Sequence, residues 1–162
     1  MNREKGCCFT GHRVIPQNDY YRVMFLLRQA VENKIKEGCT DFYAGGALGF
    51  DTLAAQTVLR LKMIYKDVRL HLLLPCENQA DKWPRRDRQV YEKIIKDSDS
   101  VTYISKEYTP YCMNQRNRAL VDNACCCIAY CTQPEGGSAY TIGYAMDQNI
   151  PVDNIAHGIN EL

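Results

Sequence analysis

The stretch that most narrows what this chain can fold into is residues 125–146, CCCIAYCTQPEGGSAYTIGYAM. Its opening apolar run, 125–130, is too short for a buried helix and fits a buried strand. Thr132, Gln133 and Pro134 stop the run, Gly136-Gly137-Ser138 follows, and beyond it Ile142, Ala145 and Met146 fall at helical spacing. A strand that passes through a glycine turn into a helix makes an anion site. The glycines let backbone approach the ligand, and the first helical N–H groups point at it from the positive end of the dipole. Ser138 is placed to cap the helix or to offer a hydroxyl to a phosphate. A Gly-Gly pair also serves as a plain strand-to-helix connection, so its meaning depends on what else reaches the same place.

The rest of the chain repeats the strand-then-helix alternation. Residues 6–10 read as a first strand ending at Gly11-His12-Arg13. The spacing of Val23, Leu26, Leu27, Ala30, Val31 and Ile35 predicts a helix over 20–36, with Gly38 as its C′ stop. A second strand, 41–44, runs into Gly45-Gly46-Ala47-Leu48-Gly49-Phe50-Asp51, and a helix follows over about 52–65 with Ala54, Thr57, Val58, Leu61 and Ile64 on one side. Residues 68–74 form a third strand closed by Pro75, and 76–83 are a loop. Pro84 suits the first turn of a third helix, which turns Val90, Tyr91, Ile94 and Ile95 inward. Residues 97–100 are a turn, 101–104 a fourth strand, 105–112 a second loop and 113–122 a short helix; a last strand covers 150–155.

Alternating strands and helices predict a single α/β domain over 1–162, a Rossmann-like three-layer arrangement with a mainly parallel sheet of about six strands. Such a sheet has its crevice beyond the carboxyl ends of the strands. All three glycine-bearing turns, at 11–13, 45–51 and 134–141, lie at such ends, which predicts one composite site. Gly11, Gly45, Gly46, Ala47, Gly136, Gly137 and Thr141 supply backbone and small side chains there. Arg13 is suited to clamp a phosphate, and His12 to meet a base or sugar hydroxyl. Asp51 either caps the second helix or holds ribose hydroxyls. Arg116 and Asn117 fall in the first turn of the fourth helix, where a cation opposes the dipole and favours an anionic partner. Trp83, Arg85 and Arg86 offer a base stack and a phosphate steer, or Trp83 anchors the loop to the body.

Composition removes several classes. A formal charge of +1 gives no nucleic-acid footprint, no apolar run reaches a membrane span, and the polar start MNREKG is no signal peptide. A cytoplasmic protein without a membrane partner is expected. Nine cysteines are many for 162 residues, yet no CxxC pair occurs and the histidines are scattered. Ligand spacing for zinc is therefore absent, no metal site or cofactor is expected, and the cysteines read as reduced core residues. GxGxxG, GxxxxGK[ST] and GxSxG are all missing, which disfavours nicotinamide or flavin enzymes, P-loop NTPases and α/β-hydrolases.

Thr10-Gly11-His12-Arg13, Gly45 through Asp51, Leu74-Pro75 with Gln79 and Trp83, Met113-Asn114-Gln115-Arg116-Asn117 and Gly136-Gly137-Ser138, in this order, resemble the SLOG superfamily. That Rossmann-like group contains the DNA-processing protein DprA and the LOG cytokinin-activating enzymes, and the chain is most similar to its YpsA-like branch. The resemblance implies a nucleotide or nucleotide-derived ligand in the crevice. It also implies self-association through helices flanking the site.

LOG enzymes cleave the N-glycosidic bond of nucleoside 5′-monophosphates with an arginine, a glutamate and a PGGxGTxxE loop. Gly136 and Gly137 match the paired glycines and Arg116 the arginine, but Glu135 replaces the residue before the glycines. Ala139 stands at the third glycine, and Ile142-Gly143 at the catalytic carboxylates. Glycosidic hydrolysis needs a carboxylate near the ribose, and only Glu135 and Asp51 offer one. The leading expectation is therefore a receptor for a nucleoside phosphate or an ADP-ribose-like molecule. The alternative is a nucleotide hydrolase using Glu135, Arg116 and Asp51. Single-stranded DNA binding, as in DprA, ranks third for want of basic charge.

Overall fold

The computed structural model describes residues 3–161. The elements follow in the order β1 (Gly6–Gly11), α1 (Tyr20–Lys36), β2 (Asp41–Ala44), α2 (Phe50–Lys62), β3 (Arg69–Cys76), α3 (Arg85–Asp97), β4 (Ser100–Ser105), α4 (Cys112–Asp122), β5 (Cys126–Tyr130), α5 (Gly137–Asp147) and β6 (Val152–Asn154). Short 3-10 turns cover Arg3–Lys5, Gln17–Asp19 and Ile155–Glu161. The six strands form one all-parallel sheet in the order β4-β3-β2-β1-β5-β6.

Strand side chains alternate between the two faces of the pleat, and the core divides accordingly. Cys7, Phe9, Phe42, Ala44, Leu70, Leu72, Leu74, Ile128 and Tyr130 pack under α1, α2 and α3. Cys8, Tyr43, Leu73, Cys127 and Ala129 pack under α4 and α5, through Leu120, Val121 and Ala145. The expected three layers follow directly. From β1 the chain steps outward through β2 and β3 to β4, then returns to the other side of β1 as β5. The loops leaving β1 and β5 therefore part to opposite faces and open a crevice between them, the place where ligands sit in such sheets.

Several boundaries differ from expectation. β3 runs through Pro75 to Cys76. β2 pairs with β3 only as far as Leu72, so no neighbour on that side needs the N–H that Pro75 lacks. α2 starts at Phe50 and ends at Lys62, leaving Ile64 exposed instead of packed. Pro84 is the N-cap of α3 and not its first helical residue. The last strand shrinks to three residues, and Ile155 and Ile159 enter the core from the 3-10 turn that follows. Gly38 does close α1, at φ 111°, with its N–H bonded to Ile35 O at 3.0 Å.

Candidate functional site

At the crevice between β1 and β5 lies a cleft of ≈ 370 Å³. Its walls come from the end of β1 and the following turn (Phe9 to Arg13), the start of α2 (Ala47, Asp51), the first turns of α4 (Met113, Asn114, Arg116, Asn117), and the turn into α5 (Glu135 to Ser138). Eleven of the fourteen predicted residues line it: Gly11, His12, Arg13, Ala47, Asp51, Arg116, Asn117, Glu135, Gly136, Gly137 and Ser138.

The other three stand behind the walls. Gly45 carries its carbonyl to the Arg116 guanidinium, and a Cβ there would sit 2.5 Å from Nη1. Gly46, at φ 73°, turns toward Leu74, Tyr91 and Gln79. Thr141 is buried and bonds back to Gly137 O at 2.9 Å. Trp83 meets Tyr91 edge-on at 5.1 Å and packs on the core, so it anchors its loop; neither it nor Arg85 or Arg86 lines the cleft.

Three turns interlock to make the site. Thr132 N–H donates to His12 Nε2 at 2.8 Å, joining the first turn to the third. Phe50 N–H donates to His12 O at 3.0 Å, joining the first to the second. Gly49, at φ 77° and ψ −120°, lies beneath this crossing, where a Cβ would overlap Arg13 O and come 2.6 Å from His12 O. Gly49→Ala is expected to cost at least about 2 kcal/mol, combining a backbone region that L-residues avoid with a collision against backbone. Urea unfolding measures it, and a loss below about 0.5 kcal/mol, the scale of an ordinary surface change, would remove Gly49 from this role.

One end of the cleft is the start of α5. Gly136 is its N-cap at φ 105°, no side chain caps it, and Tyr140 N–H already bonds Gly136 O at 2.9 Å. The expected Ser138 cap is not formed: Ser138 lies inside the helix, buried against the cleft. Asp51 likewise is not the N-cap of α2, a position that Gly49 holds; its Oδ2 accepts from Ala47 N at 3.2 Å.

The deep wall is charged. Arg116 is only 4% exposed, with Nε donating to Asn117 Oδ1 at 2.9 Å and Nη1 to Gly45 O. Burial pulls its pKa down, Asp51 holds it up, and Arg13 pushes it down again. Asp51 is 5% exposed, and its Oδ1 has no hydrogen-bond partner among the described residues. Burial raises the Asp51 carboxyl, while Arg116, the Ala47 N–H and Arg13 act to lower it. A carboxyl whose folded pKa is raised keeps its proton longer in the native state, so its contribution to stability is lost as pH rises from the ordinary value of 3.8 through the raised one. Asp51→Asn is expected to flatten that part of the profile relative to wild type, measured by urea unfolding at stepped pH. Parallel profiles for the two proteins would contradict it. Comparing the two proteins removes the background from Asp99, whose lowered pKa works in the opposite sense.

Phe9, Thr10, Met113, Asn114 and Leu120 also line the cleft but were not singled out as binding residues. Thr10, Met113 and Asn114 carry a signal, since all three stand inside the motifs that bear the family resemblance.

Comparison with known proteins agrees with this architecture. A family model described as YpsA, the YspA SLOG family, matches residues 16–155. A UPF0398 protein of Bacillus licheniformis is 26% identical over 132 residues, covering 76% of this chain and 72% of its own length. The UPF0398 protein YpsA of Bacillus subtilis is 24% identical over 154 residues, covering 87% and 84%. Among solved structures, DNA processing protein A from Helicobacter pylori, described for its single-stranded DNA binding mode, superposes with a TM-score of 0.65 at 18% identity. The match spans 96% of this chain and 72% of that one. No helix among the described residues is long and apolar enough to cross a membrane.

Proposed function

The chain belongs to the YspA SLOG family, and from that premise we propose that its cleft binds a phosphorylated nucleoside or an ADP-ribose-like molecule, as a receptor and not as a catalyst. The observation that carries this is one cleft that offers both groups for an anion and an unpartnered carboxylate oxygen. The uncapped start of α5, with Arg13 and Arg116, suits an anion. The unpartnered Oδ1 of Asp51 suits a hydroxyl donor such as a ribose. The cleft volume of ≈ 370 Å³ falls in the range of small-molecule sites. Glu135, a candidate for glycosidic chemistry, stands exposed at the lip, which favours binding over hydrolysis.

The test is a thermal-shift panel of nucleosides, nucleoside mono- and diphosphates and ADP-ribose, each followed by chromatography for free base. Stabilisation of about 2.7 kcal/mol is expected at a hundredfold excess over Kd. Phosphate-bearing compounds should give it and bare nucleosides should not. Release of free base, abolished by Glu135→Gln or Asp51→Asn, would replace the receptor with a nucleotide hydrolase. Salt-sensitive retention of single-stranded oligonucleotides, with no shift from any mononucleotide, would replace it with a strand-binding module.

A further inference from the structure

We propose that Cys39, Cys125 and Cys126 form a binding site for one thiophilic divalent cation of the zinc class, at the edge of the sheet opposite the cleft. The site is independent of the nucleotide reading, because none of its residues lines the cleft.

The three sulfur atoms lie within 4.8 Å of one another, and Cys39 Sγ and Cys126 Sγ are 3.9 Å apart. A zinc–sulfur bond of about 2.3 Å in a tetrahedral site requires sulfurs roughly 3.8 Å apart, so closing the set around an ion asks for sub-ångström to ångström adjustments. Sequence spacing hides this set. Cys39 precedes β2, whereas Cys125 leads into β5 and Cys126 opens it, two strands away across β1. Consecutive residues of a strand face opposite ways, but Cys125 sits in a bend just before β5 begins, and there the two thiols join one cluster.

The surroundings suit a cation held by thiolates. Cys7, opposite Cys126 in the β1–β5 register, brings a fourth thiol against Cys126. Carbonyls of Glu4 and Gly6 lie 3.1 and 3.3 Å from Cys125 Sγ and fix its direction. Binding is then a balanced exchange: three thiols and M²⁺ give [M(S-Cys)₃]⁻ and three released protons. The charge of Lys34, which is ion-paired with Glu37 at 3.1 Å, also acts on Cys126 and Cys7. Soft thiolates select zinc-like and other thiophilic ions over magnesium or calcium. Cys39 and Cys126 are buried, and the half-buried Cys125 is the way in. The fourth tetrahedral position is left to Cys7 or to water.

The test titrates Cd²⁺ into the full-length reduced chain in a non-chelating reductant and follows sulfur-to-cadmium charge-transfer absorption. Saturation at one equivalent is expected, with Zn²⁺ competing for the same site. Cys125→Ser, at a half-buried position that tolerates the change, should lower the band by about a third and weaken affinity by at least about tenfold. Cys131→Ser, at the other edge of the sheet, should change neither. Equal isotherms for wild type and Cys125→Ser would overturn the site. So would a chain that gives no saturable band yet forms a Cys39–Cys126 disulfide on mild oxidation. Should Cys125→Ser fold poorly, circular dichroism will show it, and Cys39→Ser then serves as the second variant with the same expected outcome.

Discussion

Replacing Arg116 by methionine is expected to lower the unfolding free energy by about 3–5 kcal/mol and to abolish anion binding in the cleft. The side chain is almost fully buried and bonded to Gly45 O and Asn117 Oδ1. Methionine fills similar space, so the loss is one of charge and hydrogen bonds more than of packing. It leaves a buried carbonyl without its donor and leaves Asp51, 5% exposed, without the cation that offsets its burial. Adding Asp51→Asn to Arg116→Met should therefore return about 1–3 kcal/mol, since buried charges that act on one another couple in double-mutant cycles. The cycle is read by urea unfolding at neutral pH. Strict additivity would show that the two groups do not balance one another, and the charged wall would lose its account. Affinity, measured separately by calorimetry, should not return with the second substitution, because the anion's partner is still missing.

The difference between what the sequence disclosed and what it hid follows from range. The stripe of Val23, Leu27, Ala30 and Val31 on α1 and the apolar run that becomes β5 are local signals, and their burial came out as expected. The convergence of three turns was legible as well, because parallel topology sends every β-to-α connection to one edge. Which glycines face the cleft was not legible. Gly45 and Gly46 belong to the glycine turn by type, yet a side chain at Gly45 would collide with Arg116, and Gly46, at φ 73°, turns toward Leu74. Asp51 looked like a helix cap because it stands near the start of α2, but Gly49 takes that position, and one Asp51 carboxyl oxygen has no hydrogen-bond partner among the described residues. The thiol cluster was invisible for the same reason: register across three strands, and not spacing along one, brings Cys39 to Cys126.

Phe50→Ala is expected to cost about 3–5 kcal/mol and, beyond that, to weaken ligand binding from a position outside the cleft. Phe50 is completely buried, with its ring against Tyr130 at 6.0 Å and Phe9 at 6.4 Å. It fills the space that a side chain at Gly11 would need, since a Cβ there would lie 2.6 Å from the Phe50 Cβ. Its N–H holds His12 O, and the next residue is Asp51. One ring thus sets the height of the first turn, the back of β5 and the start of α2, all of which border the cleft. Emptying that volume lets each wall relax separately, so affinity should fall even at temperatures where the variant is folded. Leu61→Ala, equally buried at the far end of α2, provides the contrast: a large stability loss with affinity retained. Chemical unfolding and calorimetry with the tightest-binding nucleotide distinguish the two. If Phe50→Ala and Leu61→Ala lose stability alike and both bind as wild type does, the cleft does not depend on the joint beneath it. The site would then be set by its lining residues alone.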